Sequence, residues 1–261
     1  MVEALAVASG KGGTGKTTAT LALGMALADE YDVTVVDADT GMANLLFHAG
    51  LADAPVTLHD LLIEGSDASV DDAVYERHGL SVVPCGTSLA DFEAADPDRL
   101  RSVVATLACD TDVLLLDSPA AIGSKSAILP LVLADRTVIV LQPTIPAVSD
   151  GLKVQEYATA YGTDVAGVLF NRVHETDDIA AVAPQIDRYF DGRRLGTVPD
   201  DDAARRARDA GDPLLAHEPG APAAAAFRDA AAALDVRAGE TDSESVADRF
   251  ESAVAPAPPD R

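Results

Sequence analysis

The stretch over residues 5–18, Leu-Ala-Val-Ala-Ser-Gly-Lys-Gly-Gly-Thr-Gly-Lys-Thr-Thr, constrains this chain more than any other part of it. It runs from an apolar strand candidate at 5–8 through four glycines into a helix expected over 15–28. On the way it fills the pattern G-x-x-x-x-G-K-[ST] at Gly10, Gly15, Lys16 and Thr17. Glycines let the backbone curl until successive N–H groups face one anion, and the positive end of the following helix adds to the attraction. Gly10, Gly12, Gly13, Thr14, Gly15 and Thr18 would shape such a phosphate cradle. Lys16 would reach the β and γ phosphates of a nucleotide, and the Thr17 hydroxyl would hold Mg²⁺.

Beyond this loop, short β-branched runs alternate with longer amphipathic stretches, the pattern of βα units wound about a mostly parallel sheet. Strands are expected at 5–8, 33–36, 80–83, 113–116, 137–141, 165–170 and 195–197. Several are apolar throughout, as strands covered by helices on both faces are. Asp96-Pro97 pairs an N-cap with a proline at the first helical position, and Leu100, Val103, Val104 and Leu107 follow at the spacing of one buried helix face. Further helices are expected over 149–160, 178–189, 203–210 and 221–234. The fold class is therefore α/β, a doubly wound and mostly parallel sheet flanked by helices on both faces.

A chain of 261 residues suits one such domain, placed at 1–235. Residues 236–261 read differently: from 239 on they carry six acidic and two basic residues and end in a proline-rich run, the composition of a disordered tail. Within it Val246, Phe250 and Val254 recur every four residues, a narrow apolar stripe with acidic rather than basic flanks. Membrane anchors of this kind use a broader apolar face and basic flanks, so membrane docking is weakly supported. No uncharged apolar run approaches the roughly 20 residues of a membrane span, and the N-terminus lacks the features of an export signal, so a cytoplasmic location is expected. Cys85 and Cys109 have no paired spacing and are expected to be reduced packing residues.

The charge balance is extreme, with 43 acidic against 19 basic side chains and a net charge of −24. Concentrated cations would screen such a surface, and the scarcity of lysine resembles the composition of proteins that work in concentrated salt. Nucleic acid is an unsuitable partner, because no basic run is present to neutralise phosphates, although Arg205, Arg206 and Arg208 form a small cluster.

Lys11 is a second lysine inside the phosphate loop. The string Lys-Gly-Gly-Thr-Gly-Lys-Thr over 11–17 resembles the deviant Walker A motif of the MinD/ParA ATPases, in which the extra lysine reaches the phosphates of ATP bound by the other subunit. The resemblance implies a homodimer with Mg-ATP sandwiched between subunits. Two further segments resemble the same family. Asp37-Ala38-Asp39-Thr40-Gly41-Met42-Ala43-Asn44-Leu45 is similar to its switch I, which implies that Asp39 positions the attacking water and Asp37 supports the Mg²⁺ shell. Asp117-Ser118-Pro119-Ala120-Ala121 is similar to its Walker B and switch II segment, which implies that Asp117 holds the Mg²⁺ shell; Ala121 stands in place of the usual glycine. Asn171-Arg172 resembles the adenine-recognition step, and the run from Gly196 to Asp201, with Pro199 and Asp200, resembles the loop bordering the adenine. Asp150 falls where MinD proteins carry an aspartate near the dimer interface, and an ordinary helix N-cap is the other reading.

The expected function is a MinD-like ATPase switch that dimerises on Mg-ATP, engages a protein platform or activator, and is released by hydrolysis. Lys11, Lys16 and Asp39 would carry the catalysis. The alternatives are a ParA-like DNA segregation ATPase and a metal-cluster carrier or reductase of the same superfamily. The five histidines show no metal-ligand spacing, and no nucleophile elbow is present, so hydrolysis is expected to use water directly.

Overall fold

The computed structural model describes residues 2–120 and 125–238. Eight strands form one sheet: β1 (Glu3–Ala8), β2 (Val33–Asp37), β3 (Tyr75–Arg77), β4 (Leu80–Val83), β5 (Val113–Asp117), β6 (Arg136–Leu141), β7 (Asp164–Val173) and β8 (Arg194–Pro199). Their spatial order is β3-β4-β2-β5-β1-β6-β7-β8. All neighbours are parallel except β3, which pairs antiparallel with β4 at the edge. Each of the seven expected strands is present. β3 escaped sequence reading because three residues, Tyr-Glu-Arg, are too few to show a periodicity and none of them is buried.

The longer helices are α1 (Lys16–Leu27), α5 (Leu100–Leu107), α6 (Lys125–Leu133), α7 (Ile145–Ala160), α8 (Ile179–Tyr189), α9 (Asp202–Ala210) and α11 (Pro222–Ala233). Four short ones fill the gaps: α2 (Leu45–His48), α3 (Leu58–Leu62), α4 (Leu89–Ala94) and α10 (Leu214–His217). Asp96 does cap a helical start, but Pro97–Arg99 form a 3₁₀ turn before α5 begins.

Alternation along the strands divides the core between the two faces. Leu5, Val7, Val113, Leu115, Val138 and Val140 turn to the side covered by α1 and α11, where Phe227 is fully buried. Leu114 and Leu116 turn to the other side against Leu100, Val103, Val104 and Leu107 of α5. Further along that side, Ile139 and Leu141 meet Val154 of α7 and Ile186 of α8. At Gly24 helix α1 lies so close to the sheet that a Cβ would stand 3.2 Å from both Val35 and Leu115. Past α11, Val236 and Ala238 still pack against the core. The expected tail from 239 on, with its apolar stripe, lies outside the described residues, as does Ala121.

This topology fixes where a ligand can sit. From β1 the chain crosses to β2 on one side, whereas from β5 it crosses over β1 to β6 on the other. The loops after β1 and β5 therefore part company at the carboxyl ends of two adjacent strands and leave a crevice there, the usual ligand position in an open α/β sheet.

Candidate functional site

The glycine loop after β1 occupies that crevice. Gly13 and Gly15 adopt φ of 76° and 85°, the left-handed region that other residues avoid, and Gly15 is the residue from which α1 starts. At Gly10 there is no room for a side chain: a Cβ would stand 2.5 Å from both Cβ and the backbone oxygen of Asp150. Asp150 is thus a packing partner of the loop. It also lies inside α7, whose N-cap is Thr144, so the N-cap reading of Asp150 is incorrect; its carboxylate instead accepts from Lys153 Nζ at 3.2 Å. The helix begins four residues earlier than expected because the Thr144 hydroxyl oxygen accepts from the Ala147 N–H, and Pro146 suits the first turn.

From the opposite side β7 straps the loop down. Asn171, only 4% exposed, donates from Nδ2 to the Thr14 carbonyl at 2.8 Å, and Arg172 donates from Nη1 to the Gly13 carbonyl at 2.9 Å. The amide expected to read a base therefore spends one donor on the loop and retains its carbonyl oxygen. β7 continues past the expected end, to Val173, with Arg172 at φ 56°.

Beneath the loop three carboxylates gather at the ends of β2 and β5, where Asp37 and Asp117 are register neighbours. Thr17 Oγ1 donates to Asp117 Oδ2 at 2.6 Å, and Thr20 Oγ1, one turn further along α1, lies 3.1 Å from Asp117 Oδ1. Thr20 was not expected in the site, though a second threonine three residues on, and so on the same helix face, was the available signal. Asp37 is fully buried and accepts from the N–H groups of Asp39 at 3.2 Å and Leu45 at 3.1 Å, closing the loop between them. Asp39 is half-buried, and its carboxylate accepts from the Met42 N–H at 3.1 Å.

Burial sets the charge state of this group. It pushes the Asp117 carboxyl up to about 6, against the pull of the Thr17 hydroxyl, the Lys16 ammonium and the Thr20 hydroxyl. Asp37 is pushed well above the usual carboxylate range, by burial first and then by the negative charge of Asp117. Lys16, 8% exposed, is held below its ordinary value by burial, while Asp117 and Asp39 pull the other way.

In the unfolded chain an aspartate titrates near about 3.9, so the folded protein binds these protons more tightly. The cost of burying an ionised Asp117 is absent well below pH 4, grows as pH rises from about 4 to 6, and is complete above that. The melting temperature of the nucleotide-free protein should rise on acidification from about pH 7 to 5, and Asp117→Asn should flatten that slope. Relief of the general negative charge acts in the same direction but is common to both proteins. Equal slopes in the two would show that Asp117 is not the source.

A cavity of about 440 Å³ opens above the loop. Gly12, Gly13, Gly15, Lys16, Thr17, Thr18 and Asp39 line its phosphate end, and Asn171, Pro199 and Asp200 its far end. Phe227 and Ala223 of α11, not singled out in the sequence, also line it. His48 lines it as well, its imidazole kept neutral by burial and by Arg208, with a pKa of about 4. Of the remaining expected residues, Gly10 packs on Asp150, and Asp37, Asp117 and Thr14 lie beneath the surface, Thr14 with a buried hydroxyl that meets no partner among the described residues. Lys11 is half-buried and does not line the cavity.

The donor set fits a nucleotide with Mg²⁺. Among the described residues no three His, Cys, Asp or Glu side chains are placed to hold a metal ion by themselves. One threonine hydroxyl backed by a carboxylate, with phosphate oxygens and water completing the shell, is how Mg²⁺ is commonly held, since it gives up water reluctantly. Cys85 is buried, and its thiol is pushed well up by burial; Cys109 is exposed, so the expectation that both cysteines are packing residues holds only for Cys85.

Residues 5–214 match the family model described as the CobQ/CobB/MinD/ParA nucleotide binding domain. An uncharacterised ATP-binding protein of Methanocaldococcus jannaschii is 40% identical over 237 residues, covering 90% of this chain and 88% of that protein. Among solved structures, the septum site-determining protein MinD of Pyrococcus horikoshii, complexed with Mg-ADP, superimposes with a TM-score of 0.80 at 31% identity, covering 90% of this chain and 96% of that one. MinD in the MinC:MinD cell division complex of Aquifex aeolicus superimposes with a TM-score of 0.73 at 25% identity, over 88% and 95%. With the family model matching most of its length and relatives this similar in sequence and fold, the chain belongs to the MinD/ParA family of P-loop nucleotide-binding ATPases.

Proposed function

We propose that this protein is an ATP-driven dimerisation switch of the MinD kind, acting in the spatial positioning of cellular machinery. The observation that carries the reading is the split between the two loop lysines. Lys16 lines the cavity of its own chain, whereas Lys11, five residues earlier in the same loop, does not line it. A lysine so placed is available to the phosphates of a second copy.

In this reading Lys16 and the loop N–H groups hold the triphosphate, and Thr17, oriented by Asp117, offers its hydroxyl to the metal. Mg²⁺ held there would supply positive charge to offset the triphosphate. Asp39 orients the attacking water, and the loop closed by Asp37 carries Asp39 to it. The far end of the cavity, with Pro199, Asp200 and the Asn171 carbonyl oxygen, receives the adenine. The dimer then engages a protein platform or activator, as the MinC:MinD complex suggests for its own members, and hydrolysis releases it.

DNA retention is the weaker reading. Arg205 and Arg206 are engaged by Asp202 and Glu218, and Arg208 by Asp209, so the cluster's charge is matched before a phosphate arrives. No helix among the described residues is long and apolar enough to cross a membrane. A cytoplasmic location, peripheral at a membrane or cell pole when bound to its platform, accords with the reading.

The test is the oligomeric state with and without Mg-ATP, measured by light scattering in molar KCl. Wild type should dimerise with ATP and return to monomer on turnover. Lys11→Ala should remain monomeric, and Asp39→Ala should accumulate as an ATP-bound dimer. Identical behaviour of all three proteins with and without nucleotide would remove the switch.

A further inference from the structure

The loop that carries Asp39 is held from outside by two side chains that neither the motif nor the family comparison assigns. Asp37 fixes the two ends of this loop, as described above. At its apex, His59 Nε2 lies 2.9 Å from the Thr40 carbonyl oxygen. Because a carbonyl can only accept, Nε2 must carry the hydrogen. The Phe92 ring covers the next residue: a Cβ at Gly41 would be 3.7 Å from its Cε2. The two rings also meet, with centroids 6.3 Å apart. Among the described residues, the other hydrogen bonds of 39–43 stay within 37–45, so the His59 contact is the hydrogen bond that ties the apex to a distant element.

His59 is held as a fixed point should be. It is 1% exposed on α3, whose first turn is locked by the Asp60 carboxylate accepting from both the N–H and the hydroxyl of Thr57. The Leu58 N–H donates to the Pro84 carbonyl, which anchors α3 to the end of β4. The Asp96 N–H donates to the Leu62 carbonyl, and Ile63 bridges Ala95, which ties the α3 side to the segment carrying Phe92. Gly86 makes room for the imidazole, since a Cβ there would be 3.1 Å from Nδ1. That Nδ1 is buried without a partner among the described residues. A side chain present only to fill space would gain by being apolar here, because an unsatisfied buried nitrogen is unfavourable.

We infer that His59, with Phe92 beside it, is a positioning residue for hydrolysis: it clamps Thr40-Gly41 and so determines where the Asp39 carboxylate stands. Neither residue lines the nucleotide cavity, so the clamp acts on the placement of Asp39 and leaves nucleotide affinity alone. Small displacements of a positioning group are costly in rate because catalysis of this kind depends on alignment.

The inference rests on the reading of Asp39 as the water-orienting carboxylate. Its test is the single-turnover rate of ATP hydrolysis together with ATP affinity and melting temperature, in molar KCl. His59→Leu should hydrolyse about tenfold more slowly with ATP affinity changed less than about threefold, a loss in rate and not in binding. His59→Gln, whose amide N–H reaches as far as Nε2, should recover to within about threefold of wild type. Should His59→Leu fail to fold, His59→Asn, too short to reach Thr40, takes its place with the same expectation. Hydrolysis at the wild-type rate in the clamp variant overturns the inference, and so does a glutamine variant as slow as leucine. Asp39→Ala is measured beside them: if it hydrolyses normally, the reading of Asp39 falls, whereas if it alone is impaired, only the clamp falls.

Discussion

Arg136→Met is expected to lower the unfolding free energy by about 3–5 kcal/mol, the range for breaking a buried ion pair from one side. Arg136 begins β6 and is 4% exposed; Glu3 begins β1 and is 2% exposed. Arg136 donates from Nε to Glu3 Oε1 at 2.7 Å and from Nη2 to the Asp235 carbonyl at 2.5 Å, and the Arg237 N–H donates to Glu3 Oε2 at 2.5 Å. One arginine and one glutamate thus sew the segment after α11 to the amino ends of two central strands. Methionine removes the cation and leaves a buried carboxylate with a single N–H for company. The double variant Glu3→Gln, Arg136→Met should lose less than Arg136→Met alone, because the uncompensated charge is gone. Urea unfolding in low and in molar KCl measures both effects. Salt should barely alter the loss, since a pair this enclosed is poorly screened, unlike the exposed pair Arg205 and Asp202. A loss below about 1 kcal/mol would mean that water reaches the pair freely.

Lys16→Ala should weaken ATP binding at least about a hundredfold, since each charge-assisted hydrogen bond to phosphate contributes about 1.5–3 kcal/mol and tenfold in affinity is about 1.4 kcal/mol. The electrostatics make this lysine hard to replace. Asp37, Asp39 and Asp117 converge below the phosphate end, and Lys16 is the ammonium set among them. Without it the phosphate end of the cavity loses the ammonium that offsets Asp117 and Asp39. The unliganded fold should be affected far less, because burial already works against the charged lysine. Calorimetric titration with Mg-ATP, paired with melting curves, separates the two. An affinity within about threefold of wild type would show that the loop N–H groups suffice to hold the nucleotide.

Much of this was legible in the chain because it depends on neighbours in sequence. The glycine loop is local: the φ of Gly15 and the start of α1 follow from residues that adjoin each other. The same holds for Asp37 and Asp117, each closing an apolar strand, and for the buried face of α5. Where sequence reading misplaced something, the cause was distant. Asp150 resembles a cap because Ser-Asp-Gly is a common helix start, but the earlier Thr144 wins once Pro146 is in place. Asn171 does line the cavity, but the hydrogen bond from its amide to the Thr14 carbonyl comes from the close approach of β7 to the loop, which no local pattern shows.

By itself the sequence determined the wound α/β architecture, the phosphate cradle and the identity of the residues around it, since strand periodicity and a glycine-rich turn are properties of short stretches. Only the tertiary structure decided what surrounds them. That Glu3 would neutralise Arg136, that Gly10 must be bare because α7 presses on it, and that His59 holds the loop of Asp39 all rest on contacts between residues about 20 to 140 positions apart. Hydrophobic burial brings such pairs together without regard to their separation along the chain, and no local pattern records it.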